Sequence, residues 1–180
     1  MELSSHQRYA LPAILLHWVM AVGLLGAMGF GLYMTELPFS PTRLKLYNWH
    51  KWVGIALLGL SVLRVVWRLT HRPPADLPMP AWQARLAHLT HGAMYGLFLA
   101  VPLVGWARSS AAGFPVVWLG VLPLPDWVPR NEALAHTLKE AHELLAYTLL
   151  ILIALHVAAA LQHAWVARDA LLQRMLPQRR

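Results

Sequence analysis

The chain has 180 residues, of which 58% are hydrophobic and only 13% charged, and its mean hydropathy is +0.47. That balance excludes an ordinary soluble domain and makes a lipid bilayer the expected solvent. The net charge of +7 would suit nucleic acid, but the cations sit at the ends of apolar runs and form no dense patch, so membrane topology explains them and no nucleic-acid partner is expected.

Cysteine is absent, which rules out disulfides, thiolate zinc sites, iron–sulfur clusters and covalent haem attachment. Four spans of about 20 residues use nearly half the length. One domain over residues 1–180 is therefore expected, with no room for a second. The segment before the first apolar run has Arg8 as its one cation, and no small-residue cleavage site follows before Glu36, so it reads as a retained anchor and not as a signal peptide.

In chain order, no Asp, Glu, Lys or Arg lies between Arg8 and Glu36, which predicts a first span over residues 13–34. A second is predicted over 46–69, where Lys51 near the start and Arg64 and Arg68 near the end must snorkel or find an anion. The third and fourth are predicted over 86–106 and 141–167. Prolines between Arg72 and Pro80 mark a loop, and Ser109 to Arg130 is a longer loop punctuated by Pro and Gly. The fold class is an all-α membrane protein, an antiparallel bundle of four transmembrane helices.

Nine Lys and Arg lie on the side of the termini (Arg8, Arg64, Arg68, Arg72, Arg85, Arg168, Arg174, Arg179, Arg180) and six on the other. The positive-inside rule then places both termini in the cytoplasm of an inner (plasma) membrane. Trp18, Trp52, Trp67, Trp106 and Trp165 fall near predicted helix ends, as an aromatic belt requires.

Ten histidines are the anomaly, because imidazole in hydrocarbon needs a partner or a ligand role. His142 and His156 are fourteen residues apart on the fourth span, which is about 21 Å along a helix on nearly one face. His17 on the first span matches the depth of His156, and His50 at the start of the second matches His142. Each pair can supply both axial ligands of an iron, which leaves no position for oxygen and suits electron transfer. Hydrogen-bonded core histidines are the bland alternative, and a histidine-lined metal transporter is the competing function, although carboxylates at the membrane centre are missing. Arg64, fourteen residues after His50, reaches the inner depth and is a candidate partner for an anionic haem propionate.

The chain resembles the bacterial cytochrome b561 family, which includes superoxide oxidase and the b-haem subunits of nickel–iron hydrogenases. The resemblance covers almost the whole chain and rests on Leu16-His17-Trp18, His50-Lys51 with Gly54, Ala87-His88-Leu89-Thr90-His91 with Tyr95, and His142-Glu143 through His156 to His163. It implies two haem b groups with His17, His50, His142 and His156 as axial iron ligands. It further implies ubiquinone near His91 and His163, with His88 ranked below His91 as an interfacial residue. The short length favours the superoxide-oxidase-like branch. On the outer side Arg43, Lys45, Lys51, Arg108, Arg130 and Lys139, opposed by Glu140 and Glu143, form a rim in which Lys51 and Arg108 could steer superoxide. Alternatives within the same chemistry are an electron carrier for a periplasmic redox protein or for a hydrogenase-like enzyme. His6, His71 and His136 lie outside the spans and carry no specific expectation.

Overall fold

The computed structural model describes residues 8–176. Four long helices follow one another: α1 (Leu11–Glu36), α2 (Pro41–Thr70), α3 (Ala81–Ala111) and α4 (Glu132–Gln162). Each is long and apolar enough to cross a membrane. Only 11% of the apolar window of α1, α2 and α3 is buried, and 6% of that of α4, so most large side chains face outward and require lipid as their neighbour. Leu15, Val19, Val22 and Leu25 on α1 show this as an exposed stripe at helical spacing.

The helices run past the predicted spans because polar first turns continue them. Ser40 caps α2 by accepting from the Arg43 amide, with Pro41 just behind it, and Asn131 caps α4 by accepting from the Leu134 amide, with Glu132 in its first turn. Thus α4 begins nine residues before the predicted edge at 141. Pro102 lies inside α3 and withdraws the amide that the Phe98 carbonyl would use, a gap that membrane helices tolerate when neighbours are close.

Consecutive helices form the packed pairs α1–α2, α2–α3 and α3–α4. The core is a layer at mid-bundle, with Met20, Met94, Phe98 and Leu149 fully or nearly buried and Leu24, Met28, Leu60 and Leu152 around them. Beyond α4, His163–Ala167 forms one π-helical turn, Arg168 takes the left-handed conformation at φ 53°, and Leu172–Met175 forms a short 3-10 turn. This tail closes the end of the bundle: the Trp18 indole donates to the Met175 carbonyl at 2.7 Å and Arg174 donates to the Ala75 carbonyl at 2.7 Å.

The loop between α3 and α4 holds a small hairpin, β1 (Val117–Trp118) paired antiparallel with β2 (Leu122–Pro123), where only an irregular loop was expected. Leu119 and Gly120 both have positive φ, 54° and 73°, as a type I′ turn demands. The hairpin is sewn to α2 by the Trp52 indole donating to the Val117 carbonyl at 2.6 Å and the Trp118 indole donating to the Trp52 carbonyl at 3.1 Å.

Candidate functional site

Two histidine pairs face each other between α4 and the first two helices. His17 on α1 and His156 on α4 have ring centres 6.1 Å apart, and His50 on α2 and His142 on α4 have ring centres 6.3 Å apart. A bond of about 2.0–2.1 Å from imidazole nitrogen to a first-row metal, plus about 1.1 Å from that nitrogen to the ring centre, puts two trans ligands about 6.3 Å apart. Both spacings fit an iron between the rings. The third histidine at the inner layer, His91 on α3, has its ring centre 5.2 Å from that of His156, too short for an intervening metal.

Around the outer pair, the rings lie against glycine. A Cβ on Gly105 would meet His142 Cε1 at 2.9 Å, and one on Gly31 would meet His50 Cε1 at 3.2 Å. Beside Gly105, one turn earlier on the same helix, the Val101 carbonyl accepts from His142 Nδ1 at 3.0 Å. A proton on Nδ1 leaves the Nε2 lone pair free for a metal. The buried His50 ring has the Ala27 backbone as its polar neighbour, one turn before Gly31, as Val101 stands one turn before Gly105. The spacing and the glycine contacts together fit haem.

At the inner layer Arg64 lies where its depth predicted. Its Nη2 is 3.2 Å from His17 Nδ1, and its Nε donates to the Tyr95 hydroxyl at 3.2 Å. His91 joins this cluster through His156. His163 does not: it pairs with Asp169 in the π turn and makes no ring contact with His91 among the described residues. His88 pairs with Asp76 at 3.0 Å, both 62% exposed, in keeping with a solvated interfacial residue. His136 lies 3.7 Å from Glu140 at the surface, and His6, Arg179 and Arg180 lie outside the described residues.

The expected outer rim is partly committed to structure. Lys51 donates to the Phe114 and Pro115 carbonyls at 3.4 and 3.3 Å, Arg43 donates to the Leu37 carbonyl at 2.7 Å, and Arg43 and Arg108 both approach the Tyr47 ring. Carbonyl partners keep the lysine and arginine charges, whereas Lys139 is offset by Glu143 at 3.6 Å. Neither Gly31 nor Gly105 was singled out from the sequence. Their signal depends on which helix face meets which ring, and spacing along one helix does not contain it. Among the described residues no three His, Asp or Glu side chains converge on a bare metal-ion site.

Residues 8–178 match the model of the prokaryotic cytochrome b561 family. This chain belongs to that family. It is 32% identical to cytochrome b561 homolog 2 of Escherichia coli (strain K12) over 172 residues, covering 94% of this chain and 92% of the relative. It is 33% identical over 181 residues to the probable superoxide oxidase CybB of Yersinia pestis, covering 97% and 99%, and 33% identical over 177 residues to cytochrome b561 homolog 1 of Escherichia coli (strain K12), covering 96% and 99%. As a prokaryotic cytochrome b561, the chain is a multi-pass protein of the bacterial inner membrane that binds haem b and carries electrons across the bilayer between redox partners.

Proposed function

We propose that the chain, acting as one domain, holds two haem b groups, one between His17 and His156 and one between His50 and His142, and passes electrons from superoxide at the His50 end to ubiquinone at the His17 end. The carrying observation is the pair of ring spacings, 6.1 and 6.3 Å, repeated at two depths on one helix. Held by His17 with His156 and by His50 with His142, haem b would supply a one-electron carrier suited to electron transfer.

The protein's own residues account for the rest. Lys51 and Arg108, with Arg43 beside them, attract a small anion to the outer pair. Two superoxide anions lose one electron each and leave as dioxygen, while one quinone takes two electrons and two protons to become quinol. His91, next to His156, and His163, which lies apart from it with the Asp169 carboxylate, would hydrogen-bond the quinone carbonyls and pass protons. The cation bias puts that end in the cytoplasm. The superoxide assignment is supported by the anion-attracting rim and by the likeness to a probable superoxide oxidase.

A second reading, an electron carrier docking a periplasmic redox protein, is favoured by one feature: the hairpin presents Leu119 and Val121 at 56% and 82% exposure beside the outer pair. The deciding experiment begins with haem content and reduced-minus-oxidised spectra. The wild type is expected to hold two low-spin haems, with one lost in His50→Ala or His142→Ala and the other in His17→Ala or His156→Ala. A ratio of two after any of these changes overturns the ligand assignment. A superoxide pulse that yields no quinol in the intact protein, with a protein donor reducing it instead, selects the second reading.

A further inference from the structure

At the end of the bundle that carries the termini, a cavity of about 380 Å³ opens between α1 and α2. Arg8, Arg64, Arg68 and Arg72 line it, with Tyr9 and Tyr95, and no Asp or Glu does. Arg64 is occupied by His17 and Tyr95. Arg8, Arg68 and Arg72 make no hydrogen bond or ion pair among the described residues, and Arg8 Nε is buried without a partner. Like charges gathered around one cavity repel, and a buried guanidinium nitrogen lacking an acceptor is costly, so the arrangement is complete only with an anion in place.

We propose that this cavity binds the phosphate of an anionic phospholipid, with Arg8, Arg68 and Arg72 as its donors. Guanidinium groups match phosphate oxygens with paired donors, and basic pockets between membrane helices take lipid headgroups in this way. The volume lies within the range of small-ligand sites. Arg68 lies one helical turn, about 6 Å, beyond Arg64 along α2, and Arg72 follows the end of that helix, so both stand nearer the end of the bundle than Arg64. The Trp67 ring stacks on His71 at 3.7 Å along the same wall, an amphipathic surface suited to the headgroup level. None of the three donors touches the histidine pairs, although Arg64, which binds His17, lines the same cavity.

Native mass spectrometry of the purified holoprotein tests it, with micelles doped with phosphatidylglycerol or with phosphatidylcholine, and with inorganic phosphate as competitor. The expected result is retained phosphatidylglycerol, little phosphatidylcholine and no displacement by millimolar phosphate. Retention should fall about fivefold for each cation removed in Arg8→Gln and Arg72→Gln. Arg85→Gln removes the same charge at the same end outside the cavity and is expected to change nothing. Equal loss in Arg85→Gln means diffuse attraction to the surface and overturns the proposal, as does unchanged retention in the Arg8→Gln, Arg72→Gln double variant. Displacement by inorganic phosphate overturns the lipid assignment. Haem content measured on the same samples shows whether the electron-transfer site is intact, so the two readings fail separately.

Discussion

His142 donates from Nδ1 to the Val101 carbonyl at 3.0 Å, whereas His17 receives at Nδ1 from Arg64 at 3.2 Å. A guanidinium can only donate, so His17 carries its proton on Nε2 in this arrangement, the reverse of His142. Metal ligation through His17 Nε2 therefore requires a tautomer switch and the departure of Arg64 toward an anionic partner. The outer pair is prepared for its ligand and the inner pair must reorganise. When haem is titrated into apoprotein, the outer site is expected to fill first: the early phase should survive in His17→Ala and vanish in His142→Ala. The opposite pattern would remove the case for a preformed outer site.

The glycine contacts give a prediction with an internal control. Gly105→Ala places a methyl 2.9 Å from the His142 ring, inside any real contact distance, while Gly31→Ala meets His50 at 3.2 Å and needs a smaller shift. Affinity for the outer haem is expected to fall roughly 10–100-fold in Gly105→Ala, as for other changes that misplace a ligand, and less in Gly31→Ala. Gly29→Ala meets nothing within 4 Å. That change should raise stability by about 0.5–1 kcal/mol through helix propensity alone. Haem titration and thermal unfolding of the three variants check the order, and an unaltered outer haem in Gly105→Ala would show that His142 is not held as described.

Topology is open to a direct measurement. With nine cations against six, reporter fusions at the C-terminus are expected to be active only in the cytoplasm. Periplasmic activity would exchange the sides assigned to the two histidine pairs.

An anion-steering role for Lys51 and Arg108 would set a dependence on salt. If superoxide is drawn to the outer pair by charge, its reduction of the protein should slow steeply as ionic strength rises, since screening shortens to about 8 Å at 0.15 M. Lys51→Gln and Arg108→Gln should flatten that slope. Lys51→Gln should also loosen the segment at Phe114 and Pro115 that its ammonium group holds, read as faster hydrogen exchange there. A rate equal to that of a neutral donor and indifferent to salt would favour the protein-docking reading.

The four spans were legible because charge-free runs of about 20 residues have few other meanings. The helices outrun those spans from Ser40-Pro41 and Asn131-Glu132, helix-start signals of a familiar kind, because hydropathy stops where the hydrocarbon stops and the helix does not. Depth along the helix was enough to bring His17 to His156 and His50 to His142. It did not reveal that His91 would turn toward His156 while His163 turned to Asp169, since depth does not fix which face meets which neighbour. Two-residue strands are too short to show alternation, so the hairpin had no readable pattern beyond Gly120 at its turn.

Between the two histidine layers lies the apolar core of Met20, Met94, Phe98 and Leu149. None of these side chains can carry a proton, so charge passing between haems held at the two layers, about 21 Å apart, would travel through this core as an electron unaccompanied. Such a transfer works with or against the membrane potential, at up to about 2.3 kcal/mol per electron for each 100 mV spanned. Electron flow toward the proposed quinone end would then be sensitive to voltage, slowing as the membrane becomes more polarised with its cytoplasmic side negative.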